Sequence, residues 1–581
     1  MTNLLLSLLT TYAKRAKADF VRKTRQPMIV QEHFLRELLQ IQQGTELGQQ
    51  FGLGGIKTID QFRAQVPVWS YSDYEPYTDR IAQGEPNVLN ADPVVYINLT
   101  SGSTGKQKQV PVTRRFQASL RRANLACVGF LDEALKVHSA GRSRPLQFGK
   151  LLTANSARLQ GYTQGGIEYG PVTVGSLRAG TLGSLSIGKF VQEQTLAHPF
   201  DVLEIADSLS RHYVCLLFAL CNPNLRGIAA NFPMLVLRIC NYLETYADEL
   251  IQDIEQGTIA PWLALEPEIR ARLEHRWSAS PQRASQLRQI VKTTGKLTPK
   301  DAWANLSMIL TARGGTSDFY FERFPDYLGD TPSFGGVFGT AEGNFGVYYD
   351  LNTDGSILAL ESGFYEFIPE EQWDEDQPKT LLPVEVKVGD RYRILVTSYS
   401  GFYRYDIGDV VEVVGFFEQT PLIVFRHRRG GLLSSTTEKT SEFHATQAMQ
   451  ALLQEFSLGL EDFCITLSER EFPAHYLVNI ELAAGQSLSQ PEAFLARFDY
   501  WLGQFNHPYA TVRNDQVPPP RLRVLAPGSF AIVRQRQLKR GTSDSQLKFP
   551  HISEDRTFLD ELQVVQEVRL SADVSGEGIV R

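Results

Sequence analysis

The sequence predicts an α/β protein of two domains. A large N-terminal domain of mixed β-sheets and helices spans residues 1–427, and a small α+β domain spans 428–581. Three observations predict this. The 581 residues exceed what one core ordinarily holds. Helical spacings alternate with short, glycine-punctuated strand patterns along the whole chain, with neither period dominating. Clustered charge and paired glycines at Arg426-His427-Arg428-Arg429-Gly430-Gly431 follow the strand pattern Leu422-Ile423-Val424-Phe425 and precede a fresh αβ pattern, which marks a boundary.

Composition narrows the class. Apolar content of 43% and charged content of 21% suit a globular chain, and a net charge of -7 gives no general reason to expect nucleic acid. The five cysteines include no CxxC pair and leave one over in any full pairing, so reduced, buried thiols and a cytoplasmic setting are expected. The leucine run at the N-terminus has no basic residue before it and reads as an amphipathic opening helix, not a leader. No apolar run reaches membrane-spanning length, so no membrane partner is expected.

Taken in order, residues 1 to 60 are helical, with Leu4, Leu5, Leu8 and Leu9, then Phe34, Leu35, Leu38 and Leu39, at helical spacing. A segment rich in Tyr, Pro and Asp leads to an apolar strand ending at Ile97, a loop, and a helix over Arg114 to Leu135. Such a helix start would aim its positive end at an anion. Leu146 to Ser176 reads as short strands with glycines, and 200–295 as a helical block whose main role is packing. Strands follow at Leu306 to Thr311, Arg391 to Ser398 and Gly401 to Val414. In the last domain the pattern is helix Glu442 to Gln454, strands Cys464 to Leu467 and Tyr476 to Leu482, and helix Pro491 to Phe505.

The chemistry concentrates in three places. Thr100-Ser101-Gly102-Ser103-Thr104-Gly105, followed by Lys106 and Lys108, has what a phosphate loop needs. Glycines admit the anion, hydroxyls and amides donate to it, and lysines offset its charge. Only two residues separate Gly102 from Gly105-Lys106, and Gln107 stands where Ser or Thr is required, so the Walker loop is excluded. Taken alone, the cluster is also ordinary solvated-turn chemistry. Glu342 in FGGVFGTAEGNFG and Asp409 in FYRYDIGDVVEVVGF are single carboxylates among glycines, a pattern that serves a strand-end cation or ribose site or a plain structural turn. His427, His444 and His475 lack metal-ligand spacing and read as structural.

These motifs resemble, in order, the phosphate loop, the YGxTE motif and the YRTGD motif of the adenylate-forming superfamily: TSGSTGKQK, FGTAE and YRYDIGD. A closer likeness is to the plant auxin-responsive acyl acid–amido synthetases, the Gretchen Hagen family. It is carried by FRHRRGGLLSSTTEKTSE, HYLVNIEL, SDSQLKFP and ELIQDIEQGTI, and so runs over nearly the whole chain.

The resemblance implies an adenylate-forming N-terminal domain and a small mobile C-terminal lid. The implied reaction is ATP- and magnesium-dependent activation of a small carboxylic acid, with amide formation to an amino acid. It implies that Ser101, Gly102, Ser103, Thr104 and Gly105, with Lys108, wrap the ATP phosphates, and that Gly339 and Thr340 lie near the adenosine or adenylate phosphate. Glu342 would hold magnesium and Asp409 the ribose hydroxyls. Arg428 and Lys439 would meet the nucleotide after the hinge, and Lys548 would approach the α-phosphate. The acyl pocket is expected from the helical block and from Leu159 to Val174. The loop differs from the plant SSGTSGG form, FGTAE replaces YASSE, and His551 replaces an arginine, which implies a distant, bacterial-type branch. The alternatives are an acyl-CoA ligase sharing the first step, or a non-catalytic adenylate-binding protein. No obligate protein partner is indicated.

Overall fold

A computed structural model describes residues 2–100, 108–182, 195–315, 318–373, 375–428, 431–436, 438–471, 473–513, 517–539, 547 and 549–570. The chain divides into two compact units. The first is built mainly from Met1–Ile407 and Val411–Phe425, the second from Gly408–Val410, Arg426–Thr542 and Leu547–Arg581.

The first unit opens with helices Thr2–Thr24 and Pro27–Gln42. The first of these crosses helix Arg114–Val137 so closely that a Cβ on Gly129 would lie 2.5 Å from the Ala13 carbonyl oxygen, and only glycine fits there. The described residues of this unit form three sheets. One has strands in the order Lys108–Thr113, Val94–Thr100, Glu168–Pro171, Gly161–Tyr162. Within it Val94–Thr100 is antiparallel to Lys108–Thr113 and parallel to Glu168–Pro171.

A strand therefore stands between the phosphate-loop motif and the helix, contrary to the expected loop-to-helix step. The motif connects two paired strands, Thr100 facing Lys108. Helix Arg114–Val137 is capped by the Thr113 hydroxyl, which accepts from the Phe116 N–H at 3.1 Å. The expected run of strands up to Ser176 also stops early, because Val172–Leu182 is a helix.

A second sheet is wholly parallel: Leu151–Thr153, Gly227–Ala229, Met308–Leu310 and Ser333–Phe334. The helices of the 200–295 block, including Ser208–Leu220, Pro233–Thr245 and Pro281–Thr294, are the crossovers this sheet requires. The third sheet has seven strands, in the order Phe364–Pro369, Arg391–Thr397, Tyr405–Phe417, Thr420–Arg428, Ser356–Leu358, Asn344–Tyr348, Val337–Gly339. A continuous core of Phe62, Tyr74, Phe364, Tyr365, Phe402 and Tyr405 ties helices to this sheet.

The second unit carries a four-stranded sheet, Leu460–Leu467, Tyr476–Leu482, Arg521–Leu525, Val564–Arg569. Its helices Glu442–Phe456 and Pro491–Phe505 pack together, with Phe456 and Phe494 ring centroids 5.3 Å apart. No described helix is long and apolar enough to cross a membrane.

Candidate active site

Within the first unit, Thr340-Ala341-Glu342-Gly343 makes the tight turn between strands Val337–Gly339 and Asn344–Tyr348. The Thr340 N–H donates to the Gly343 carbonyl at 2.8 Å, and the Glu342 N–H donates to the Thr340 hydroxyl at 3.2 Å. Two side chains from elsewhere hold the turn's carbonyls: Asn98 Nδ2 donates to Ala341 O at 3.1 Å, and Ser398 Oγ to Glu342 O at 2.8 Å. Asn98 lies on the strand that feeds the phosphate-loop motif, so that strand and this turn are fastened together. Glu342 is only 3% exposed, and no hydrogen bond or ion pair from any described residue reaches its carboxylate. A carboxylate that no described side chain neutralises, carried on a turn whose backbone is otherwise held, fits a cation ligand. Gly339 is exposed and leaves little room for a side chain, since a Cβ there would lie 2.8 Å from Asn344 Oδ1.

The segment Trp69 to Tyr74 knits the other motifs to this region. The Tyr74 hydroxyl donates to Tyr403 O at 2.6 Å and accepts from Tyr403 N–H at 2.8 Å, which pins the start of YRYDIGD. Burial pushes that phenol far above its usual range, so it stays neutral and keeps both bonds. Asp406 N–H donates to Trp69 O at 2.8 Å. The Tyr71 hydroxyl accepts from Gln109 N–H at 2.7 Å, and Lys108 Nζ lies 5.6 Å from the Tyr71 ring centroid and 3.3 Å from the Tyr405 hydroxyl. Lys108 is therefore steered by two tyrosines.

Between these contacts sits Arg404, in the left-handed region at φ 43°. Its guanidinium is buried on Glu366, with Nε–Oε2 at 3.0 Å, and donates to Arg63 O and Val66 O at 2.9 and 2.8 Å. An arginine in a sparsely populated backbone region persists only where its surroundings over-determine it, and this one has such surroundings.

In the second unit Asp409 and Arg428 meet. Arg428 Nε donates to Asp409 Oδ1 at 2.6 Å, with the carboxylate 2% exposed and the guanidinium open to solvent. Asp409 lies inside strand Tyr405–Phe417, not at a strand end as its glycine neighbours suggest. Its Oδ2 receives no hydrogen bond from a described residue, which leaves acceptor sites for a ligand hydroxyl.

Further along, Glu438 is fully buried and accepts from Ser435 N–H, from Thr436 N–H and Oγ at 3.0 Å each, and from the Tyr476 hydroxyl at 2.7 Å. Burial alone would raise its carboxyl, but these hydrogen bonds outweigh it and hold the group below its usual value. Lys439, next in the chain, is exposed at φ 46°, presented outward between buried Glu438 and Thr440.

Of the expected site residues, the structure brings Asp409 and Arg428 into contact and sets Lys108, Gly339, Thr340 and Glu342 in the first unit. Ser101, Gly102, Ser103, Thr104, Gly105 and Lys548 lie outside the described residues. His444 belongs to the capping box of helix Glu442–Phe456, and His475 Nδ1 meets Pro519 O at 2.8 Å, so both are structural. Asn98, Tyr71, Tyr74, Glu366 and Ser398 escape sequence reasoning, because nothing in a lone buried polar residue announces its distant partner.

The chain matches the GH3 family N-terminal domain over residues 16–333, the central domain over 356–428 and the C-terminal domain over 443–557. It is 27% identical to a probable indole-3-acetic acid-amido synthetase of Oryza sativa, covering 92% of each chain. It is likewise 27% identical to a jasmonoyl–L-amino acid synthetase of Nicotiana attenuata, covering 80% of each. The solved structure of the AtGH3.15 acyl acid amido synthetase with 2,4-DB superposes with a TM-score of 0.83 at 24% identity, covering 96% of this chain and 97% of that one. A 2-hydroxyisobutyryl-CoA ligase shares the fold at a TM-score of 0.51 and 12% identity. With three successive domain matches, the first alone spanning more than half the sequence, the chain belongs to the GH3 family.

Proposed function

We propose that this GH3-family ligase activates a small carboxylic acid as its acyl-adenylate at the expense of ATP and passes the acyl group to the amine of an amino acid. The relatives it matches are named amido synthetases, which favours amine over thiol capture. The observation that carries the reading is Glu342, a buried carboxylate without a described partner, on a turn that Asn98 fastens to the strand entering the phosphate-loop motif.

In the first step an oxygen of the acid attacks the α-phosphorus and the bond to pyrophosphate breaks. Magnesium would offset the charge gathering on that leaving group. Among the described residues no group of three or more His, Cys, Asp and Glu gathers as a metal cluster. Glu342 would then hold the ion through one carboxylate, with phosphate and water supplying the other oxygens. Ser101 to Gly105 would hold the phosphates with Lys108, whose ammonium the tyrosines aim, and Gly339 and Thr340 would lie against the nucleotide. Asp409 would accept from the ribose through Oδ2, while Arg428, Lys439 and Lys548 would face the nucleotide as cations. In the second step the neutral amine attacks the acyl carbon, AMP leaves and the nitrogen sheds a proton, largely a positioning task. Residues 428–581 would act as the lid serving both steps, in a cytoplasmic enzyme.

The test is pyrophosphate release from magnesium-ATP with a panel of acids, each with and without pooled amino acids or CoA. Acid-dependent release raised by amino acids, with an amide in the mass spectrum, is expected. Release raised by CoA alone would overturn the amide assignment, and silence with folded, nucleotide-binding protein would overturn adenylation itself.

A further inference from the structure

Five strands of the first unit end around one polar side-chain chain. Strands Leu151–Thr153, Gly227–Ala229 and Met308–Leu310 run parallel in one sheet, and Val94–Thr100 runs parallel to Glu168–Pro171 in another. Two residues past the end of three of these strands stand Asn155, Asn231 and Thr173. Asn155 Nδ2 donates to Asn231 Oδ1 at 3.1 Å, and Asn231 Nδ2 donates to Thr173 Oγ1 at 2.8 Å. The link therefore runs from the parallel sheet to the strand pair in which Pro171 faces Leu99, the residue before the phosphate-loop motif begins at Thr100. The backbone is fixed as well, since Ala312 N–H donates to Asn231 O at 3.3 Å and Ala230 N–H to Leu310 O at 2.9 Å. The carboxyl ends of parallel strands are where α/β sheets receive ligands.

The hydrogen-bond accounting identifies what such a ligand must offer. Toward described residues, Asn231 uses its oxygen for Asn155 and its amide nitrogen for Thr173. Among the described residues nothing donates to the Asn155 side-chain carbonyl oxygen at one end and nothing accepts from the Thr173 hydroxyl at the other, which leaves an acceptor and a donor for a ligand. All three side chains are only half-buried, so the chain keeps an open face. Beside it Thr311, the first residue past Met308–Leu310, is buried with a hydroxyl that has no partner among the described residues. A hydrocarbon acyl group set against these atoms would strand them, whereas a hydroxyl both donates and accepts.

We infer that Asn155, Asn231 and Thr173 select acids bearing a hydroxyl substituent over their unsubstituted counterparts. This rests on the adenylation reading above and names its substrate class. Thr173 lies in the first turn of helix Val172–Leu182, and the segment carrying Asn231 leads into the helical block, where the acyl group is expected.

The experiment is acid-dependent exchange of pyrophosphate into ATP, with no amine present, for matched pairs of aliphatic and aryl acids that differ by one hydroxyl. The wild-type enzyme is expected to favour the hydroxylated member in kcat/KM by between about tenfold and a hundredfold for at least one skeleton. Asn155→Leu and Thr173→Val, made separately in case one fails to fold, should each shrink that ratio at least about tenfold. Equal or better use of every unsubstituted acid by the wild type would overturn the inference and leave adenylation standing. So would folded variants that lose both members of a pair equally. Absence of exchange with every acid, in folded protein that binds nucleotide, would remove the adenylation reading, and this inference with it.

Discussion

Two buried glutamates, one in each unit, make an instructive contrast. Glu342 and Glu438 are 3% and 0% exposed, and both sit in short connections within motifs that carry the family resemblance. Glu438 is enclosed by two backbone N–H donors and two hydroxyls, whereas no described residue donates to the Glu342 carboxylate, only its backbone being held. A satisfied buried carboxylate shapes a loop, and here it fixes the left-handed turn at Lys439. One that no described residue claims keeps its oxygens for a cation. The same residue type, equally buried, is thus structural in one place and a candidate ligand in the other.

The largest expected effect comes from Glu342→Gln. Acid-dependent pyrophosphate release should fall by about a hundredfold or more, in line with loss of transition-state charge stabilisation. Thermal melting of the nucleotide-free protein should hold, because no described residue bonds to that carboxylate. A melting point that drops with activity would make Glu342 a second Glu438.

Glu438→Gln should behave in the opposite way. Stability of the second unit should fall by about 2 kcal/mol, read by urea unfolding with a probe in that unit, because the new amide N–H groups face donors. A pH series sharpens this. The hydrogen bonds depress the folded-state carboxyl, so its contribution is fully present above the unfolded value of about 4.3 and is lost as pH falls through the lower folded value. Below about pH 4.3 the wild type should lose stability faster than Glu438→Gln, converging on it. Parallel curves would show that the carboxylate is not the origin.

Asn98→Ala loosens the turn that presents Glu342 without touching the carboxylate. We expect about a tenfold loss in kcat with magnesium dependence shifted to higher concentration, because misplacement of a ligand costs less than its removal. An unchanged magnesium curve would separate Asn98 from Glu342. The smallest expected effect is on stability in Lys439→Gly, where glycine suits φ 46° and the unfolding free energy, read by urea, should change by no more than about 1 kcal/mol. Activity should nevertheless fall if the ammonium meets nucleotide. Unchanged activity would return Lys439 to an ordinary surface lysine.

How far the sequence could be read depended on the range of the interaction. Strand Tyr476–Leu482 and helix Pro491–Phe505 have the bounds that the pattern predicts, because each runs long enough for its period to be counted. The three-residue strands Gly227–Ala229 and Leu151–Thr153 carry no countable period, so the parallel sheet was invisible and its crossover helices read only as packing. In sequence, Lys108–Thr113 reads as part of the approach to a helix, since its pairing with Val94–Thr100 is decided across the loop. Asp409 falls inside strand Tyr405–Phe417, as the pattern over Gly401 to Val414 predicts, whereas the strand-end role that its glycine neighbours offer does not hold, because Gly408 takes φ 81° without breaking the strand.

By itself, then, the sequence determined the alternation of helices and strands, the change of character near Arg426 and the residue types of three motifs, all of which are local in the chain. Tertiary structure alone decided that Asn98 would hold Ala341, that Tyr74 would clamp Tyr403, and that Arg428 would take one oxygen of Asp409. It also decided which buried glutamate would be satisfied. A hydrogen bond depends on atoms brought within about 3 Å, and for partners 243 or 329 residues apart only the folded chain sets that distance.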